Sequence, residues 1–423
     1  MRKGSMKDQE KKENLKVSKK GKNEKLGMVI WAIIFIVIFY QVIRLAMYTL
    51  GKIDKEKMWL YNGVNKIISI VADNSKKDII EEYNLKYAGI GDVYLTSDTI
   101  QASKSASEYD FSKGIDKISE ELKKYDVVTA SLNTPVANKN LGYSSKILYN
   151  APVELLDALR ILNVSNVATA TSHIGDKKAS GIEDTIKNLD LKELKFTGIS
   201  SDKRSIPLII NKNEIKIGLL SYTTNKKANK NVKDKEFINV LNEKNLKEDI
   251  EFLKNQNVDY IISYLDFESQ DSLIVNGIQK ENVEMLFDKG VNVVLGTGIM
   301  GIQEEIEDEI KIKDKNNHIY AIYSLGEFMG SYTSSEEEFS AIANIEFTKK
   351  ITKDKKGKIK DIQTNMIIKK PSITWTLVDN KFKKKIYLLD NAIDEYNAGK
   401  LDISAKQYDV IKEKQNIINK MFQ

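Results

Sequence analysis

The chain has no cysteine. That excludes disulfides, thiolate zinc sites, cysteine nucleophiles and a lipid-modified cysteine anchor. Histidine is almost as scarce: His173 and His318 are the only two in 423 residues. Hydrolytic centres with two metals hold their ions about 3.5–4 Å apart and use several imidazole and carboxylate ligands. His318 sits in the polar stretch "KDKNNHIY", so a single usable imidazole remains, too few for such a centre. "GTGIMG" at Gly296–Gly301 lacks both the Gly-Lys-Ser/Thr ending of a phosphate loop and the G-x-G-x-x-G spacing of a dinucleotide site. No Ser-His-acid set can be named. Proline, at four residues, is rare beside abundant Lys, Ile and Asn; that bias suggests an AT-rich genome and says nothing of function.

Charge of one sign is also missing from most of the chain. The net charge is +6, and residues 1–25 alone hold ten basic and four acidic residues, a surplus of six. The remaining residues are therefore balanced, which disfavours a basic domain gripping nucleic acid. The tail 1–25 reads as polar and disordered. Behind it, Leu26–Ile43, "LGMVIWAIIFIVIFYQVI", carries no charge over 18 residues. As a helix it spans ~27 Å, close to the ~30 Å hydrocarbon core of a bilayer. The lysine-rich flank precedes it, so a signal-anchor at 26–43 leaves the tail cytoplasmic and the C-terminal bulk outside. The rivals are a cleaved signal peptide, although no A-x-A site follows the run, and a buried soluble helix.

Residues 44–85 read as a helical stalk, because the charges of "DNSKKDIIEEYNLK" recur at helical spacing. From Lys86 the rhythm changes. "KYAGIGDVYLT", "DVVTASLNTP", "VSNVATATS", "FTGIS", "IKIGLLSY", "VDYIISYLDF", "VNVVLGTG" and "IYAIYSLGEF" read as strands. "FSKGIDKISEELKKY", "APVELLDALRILN", "GIEDTIKNLD", "NLKEDIEFLKNQ" and "ENVEMLFDKG" read as helices. This alternation predicts an α/β domain with a largely parallel central sheet. "FSAIANIEFTKK" and "IKDIQTNMIIKK" alternate apolar and polar residues and predict an antiparallel pair across "KDKKGK". An amphipathic helix ends the chain. The expected divisions are 1–25, 26–43, 44–85, a domain at 86–350, and a C-terminal strand and helical extension at 351–423 that packs on it.

In α/β sheets ligands collect at the carboxyl ends of strands. Six such ends carry polar residues: Gly91-Asp92, Ser131–Pro135, Ser172–Asp176, Tyr264–Glu268, Gly296–Gly301 and Tyr323–Phe328. The order and spacing of these segments, from Lys86 onward, resemble the CapA family of poly-γ-glutamate capsule biosynthesis proteins. The resemblance implies a metallophosphatase-like (calcineurin-like) layered sheet and helix domain, here preceded by one transmembrane helix. Asp92, His173, Asp176 and Gly181 match the family pattern. Asn133 stands where the family has Glu, Ser172 where it has Asn, and Asp266-Phe267 in place of a His-Trp pair. Thr297-Gly298-Ile299-Met300 replaces a histidine-rich run, and Glu327 an Asn.

The resemblance therefore implies a domain whose metal ligands are largely erased. Asp92, His173 and Asp266 are the candidate catalytic residues, with Asn133, Ser172, Asp176, Thr297 and Glu327 lining the cleft. No cofactor is expected. If a divalent cation binds, it is a single one, on oxygens of Asp92, Asn133, Asp266 and Glu327 with His173. Each residue also has a plain structural reading: Asp92 as a turn residue, His173 and Asp176 as loop supports, Glu327 as a cap. Two functions stay open. One is a membrane-anchored, extracytoplasmic, non-catalytic protein assisting synthesis, export or surface handling of an anionic polymer such as poly-γ-glutamate, beside capsule-synthesis membrane partners. The other is an active hydrolase or amide-bond enzyme with a reduced Asp92/His173/Asp266 site. A purely structural surface protein is a third. A polyanion binder needs a local basic patch; "KKAN", "KFKKK" and "KKASG" are candidates. No nucleic-acid partner is expected.

Overall fold

The computed structural model describes residues 37–42, 78–105, 108–144, 148–232, 237–270, 272–312, 315–330, 338–378 and 383–422. The chain divides into two compact units, Met1–Ile79 with Lys353–Lys358, and Ile80–Thr352 with Ile359–Gln423. In the first, residues 37–42 are helical; the rest of the expected anchor, and residues 44–77 of the expected stalk, lie outside the described residues. Among the described residues no helix is long and apolar enough to cross a membrane.

Residues 79–85 overturn the expected end of the stalk: they are strand, not helix. The charges of "IIEEYNLK" mimic helical spacing. Yet Leu85 and Tyr87 are buried and Tyr83 half-buried, while Glu82, Asn84 and Lys86 between them are exposed. That period of two is a strand's, and β1 (Ile79–Val93) runs on to Asp92 with every residue buried from Tyr87.

Two sheets form in place of the single central sheet expected. The first contains β1, β2 (Val127–Leu132), β3 (Val164–Ala168) and β4 (Lys195–Thr197), all parallel in that order. The second contains β5 (Leu208–Lys212), β6 (Ile215–Thr223), β7 (Tyr260–Gln270), β8 (Val293–Ile299), β9 (Glu305–Ile312) and β10 (Lys315–Ile322), in the order β5-β6-β7-β8-β10-β9. Its centre is parallel and its edges β5 and β9 are antiparallel. The chain then returns to the first sheet. Here β11 (Glu327–Met329) pairs with β1, and β12 (Phe339–Lys353), β13 (Ile359–Val378) and β14 (Lys384–Leu388) extend the edge beyond β1. Fully buried strands show no alternation, so the sequence runs reveal strands without revealing which of them pair.

Helices cover both outer faces. Leu85 and Tyr87 of β1 share the inter-sheet core with Tyr264 of β7 and Leu295 of β8. Ala88 and Ile90, on the opposite face of β1, pack with α1 (Ser97–Ala102), α2 (Asp116–Leu122) and α3 (Glu154–Ile161) through Ile100, Ile118 and Leu155. Behind the second sheet, Leu220 and Val294 meet Leu246 of α5 (Glu243–Asn255) and Val283 of α6 (Gly277–Lys289). A smaller cluster joins Ile182 of α4 (Lys178–Leu191) to Ile174 and Phe237. Leu389 of α7 (Leu389–Asn397), and Ile411 and Ile418 of α8 (Ala405–Met421), complete the inter-sheet core. The layers are helix, sheet, sheet, helix. The parallel strand ends of both sheets meet along one edge, where the polar segments lie.

Leu295 is fully buried between the sheets, whereas Ile274 is 80% exposed. Leu295→Ala is expected to lower stability by ~2–5 kcal/mol. Ile274→Ala should change it by less than about 0.5 kcal/mol. Denaturant unfolding of the two variants checks this contrast.

Candidate functional site

The "SLGEF" segment brings the two sheets together. It reads as one strand with the preceding "IYAIY", but β10 stops at Ile322 and the next four residues cross to the first sheet. On the way Leu325 N–H donates to the Gly296 carbonyl, and Asp92 N–H donates to the Gly326 carbonyl. The crossing presses so closely on β8 that a Cβ at Gly296 would lie 1.9 Å from the Tyr323 carbonyl oxygen. Only glycine fits there. The result sets Glu327 opposite Asp92 and brings the end of β8 against the end of β1.

Asp92 is 2% exposed. Its Oδ1 accepts from Ser131 Oγ at 2.6 Å, and its Oδ2 accepts from the Gly298 N–H at 2.8 Å. Gly298 reaches this position with φ of 82°, and a Cβ on it would stand 2.8 Å from Asp266 Oδ2. The Gly298 backbone thus lies between two carboxylates. Asp266 is 1% exposed. Its Oδ1 accepts from Thr223 Oγ1 at 2.7 Å, Ser172 Oγ at 2.8 Å and Glu268 N–H at 3.3 Å, and its Oδ2 accepts from Ser172 N–H at 3.3 Å. A register irregularity between β7 and β8, with Glu268 at φ 63°, aims that last amide back at Asp266.

Burial pushes the Asp92 carboxyl up to about 7; the Asp266 charge adds to the rise, while the Ser131 and Gly298 hydrogen bonds and the His173 charge oppose it. Burial likewise raises Asp266 above the usual carboxylate range, against the pull of its Thr223 and Ser172 bonds. Two buried acids that raise one another titrate as a pair, and the doubly charged form is the one disfavoured.

The other predicted residues surround them. Asn133 Oδ1 accepts the His173 N–H at 3.1 Å. His173 Nδ1 lies 3.1 Å from Asp176 Oδ2, which also accepts the Tyr149 N–H at 2.8 Å. The imidazole stands edge-on to Tyr149, with centroids 4.5 Å apart, and Tyr149 packs in turn on Tyr94. Tyr94 OH donates to Glu327 Oε1 at 2.5 Å. Thr297 is buried beside Asp266 as its partner across β7 and β8. The fold therefore gathers all the candidates at one edge, in two linked parts: an Asp92–Asp266 pair, and a His173–Asp176 pair supported by tyrosines.

The family pattern carries metal ligands, which the resemblance implies are largely erased here, and the donors that remain do not fit a two-metal centre. Both Asp92 oxygens and both Asp266 oxygens face protein donors. The Gly298 N–H donates to Asp92 Oδ2, which a cation on that oxygen would have to share. Asn133 Oδ1 is engaged by a backbone amide. Among the described residues no three His, Asp or Glu side chains group so as to hold an ion.

Residues 86–332 match the family model described as bacterial capsule synthesis protein PGA_cap. The chain belongs to this family. Two solved structures are similar at low identity. A 5'-nucleotidase precursor from Thermus thermophilus shares 11% identity over 68% of this chain and 54% of its own, with a TM-score of 0.38; the chain thus spans about half of that precursor. The calcineurin-like phosphoesterase YfkN from Bacillus subtilis shares 10% over 68% and 91%, with a TM-score of 0.40. These superpositions are loose, and the assignment stands on the PGA_cap match. A search of curated proteins gave no match.

For this PGA_cap member, strand ends located the acids and one donor, Ser172, but did not mark Ser131 or Thr223 as donors. Ser131 lies in "TASLN" two residues before Asn133, and Thr223 closes β6 by the same strand-end rule that found Asp92. Both were within reach of that rule. The Gly298 amide was not, because a backbone N–H has no letter in the sequence.

In the window from the ordinary carboxylate range up to about 7, native Asp92 holds a proton that the unfolded chain has released. Stability therefore falls as pH rises through that window, by up to about 1.4 kcal/mol per pH unit for one group. Asp92→Asn should flatten the slope and raise Tm above pH 7. The amide oxygen can take the Gly298 N–H, and the amide nitrogen can donate to the rotatable Ser131 hydroxyl. Parallel Tm–pH curves for wild type and variant would refute this. Gly298→Ala should cost ~1–3 kcal/mol through its positive φ, read by thermal unfolding.

Proposed function

We propose that this PGA_cap-family chain is an anchored, extracytoplasmic, non-catalytic protein. It assists the synthesis, export or surface handling of an anionic capsular polymer such as poly-γ-glutamate. The observation carrying the non-catalytic part is the Gly298 N–H donated to Asp92. A backbone donor against a carboxylate that the family pattern offers as a ligand supports this reading. The uncharged run 26–43 behind a basic tail supports the anchor, and family membership supports the capsule role. On this reading the unit that begins at Ile80 acts as a platform beside membrane partners of the capsule pathway, with the strand-end cleft serving as a rigid surface.

One observation favours the second reading, a reduced enzyme. His173 keeps a carboxylate on Nδ1, the arrangement that orients a general base, and its side chain is 30% exposed beside the acid pair. Complementation separates the two readings. In a strain lacking the chromosomal copy, His173→Ala and Asp92→Asn are expected to restore polymer output to wild-type level. The purified chain should show no phosphoesterase turnover above buffer with added Mn²⁺. Loss of output in both variants, with no fall in Tm, would establish the enzyme reading instead.

A further inference from the structure

β9 is the last strand of the second sheet, and among the described residues its sole strand partner is β10. The two pair antiparallel from Glu305 to Ile312 without a bulge. Tyr323 N–H donates to the Glu304 carbonyl. Hydrogen-bonded pairs recur at every second residue of an antiparallel ladder, so Ile306, Asp308, Ile310 and Ile312 bond to β10. Tyr320, opposite Glu307, gives its N–H to the Asn292 carbonyl on its other side, as this phase requires. Glu305, Glu307, Glu309 and Lys311 therefore turn their N–H and C=O groups away from the sheet. The outward Glu309 N–H takes the side chain of its own neighbour, Asp308 Oδ1, at 2.7 Å.

This open edge carries charge of one sign. Glu304, Glu305, Glu307, Asp308 and Glu309 stand almost without a break, and all but Glu305 are exposed. Among the described residues only Glu307 has a basic side chain in direct contact, His318 Nε2 at 2.7 Å. Glu305 takes the Tyr320 hydroxyl at 2.6 Å. Sheets blunt their edges with charged side chains, with proline or with bulges. β9 has neither proline nor bulge. Its acids turn away a second β9 or any acidic strand, because like charges placed opposite one another are unfavourable, and they favour a basic one. We infer that β9 is a docking edge for an extended segment of a partner protein with lysine or arginine at alternate positions, which adds to the sheet as a further strand. Its backbone completes the outward row of N–H and C=O groups, and its cations stand opposite Glu305, Glu307 and Glu309. The inference does not depend on the capsule reading.

Fluorescence anisotropy of the full chain with a labelled peptide of alternating lysine and threonine, as long as β9, tests it. Saturable binding is expected, weakened about tenfold or more in Glu307→Lys/Glu309→Lys. Lys311→Pro removes an outward N–H that β10 does not use, a place where an edge strand tolerates proline, and it also removes a positive charge. Charge alone predicts tighter binding by this variant, whereas strand addition predicts binding about tenfold weaker. A fully N-methylated form of the peptide keeps every lysine and has no backbone N–H. It should bind the wild-type chain about tenfold more weakly, and this comparison does not depend on how any variant folds. Equal binding of the two peptides would overturn the inference. So would Lys311→Pro binding as tightly as wild type, or copies of the chain joining through β9 without taking up the peptide.

Discussion

Two carboxylates buried within reach of each other cannot both stay charged unless something positive stands between them. In hydrolytic centres of two-metal type that role falls to ions. Here N–H and O–H dipoles stand around both carboxylates, and burial raises both above the usual carboxylate range. Gly298 donates to Asp92, while Ser172, Thr223 and Glu268 donate to Asp266. Most of the local architecture serves this arrangement. The crossing from β10 to β11 needs Gly296 for its close approach. The irregularity in β7 turns the Glu268 amide inward. The positive φ of Gly298 holds its N–H on Asp92. A segment without a metal-binding side chain, "GTGIMG", acts through its backbone.

Much of this site was legible in the sequence. Polar residues closing apolar strands located Asp92, Asn133, His173, Asp266 and Thr297, and the fold brings them to one edge. The pairing of strands was not legible. Runs such as "VVLGTG" are apolar on both faces, so they carry no phase that would assign them to one sheet or two. Residues 79–85 misled for a different reason: Glu81, Glu82 and Lys86 imitate a helix, and the half-buried Tyr83 with buried Leu85 and Tyr87 decides for a strand only once a facing sheet exists to bury them. Glu327 was found, but its link to Tyr94 was not. That contact spans 233 positions, and nothing local encodes it.

Charge shows the same division between global and local. The balanced composition beyond residue 25 argues against a broad electrostatic surface, and that holds for the chain as a whole. It does not prevent a local run such as Lys383-Lys384-Lys385, where Lys385 pairs with Asp116 and Lys384 donates to the Gly330 carbonyl. The strand-end cleft is lined by its own hydrogen bonds.

We propose that backbone and hydroxyl donors stand in place of a metal between Asp92 and Asp266. Equilibrium dialysis of the full chain against Mn²⁺ at neutral pH, beside the Asp92→Asn protein, tests it most directly. The account predicts the same low metal content in both. One or two ions held by the wild-type chain and lost from the variant would contradict it.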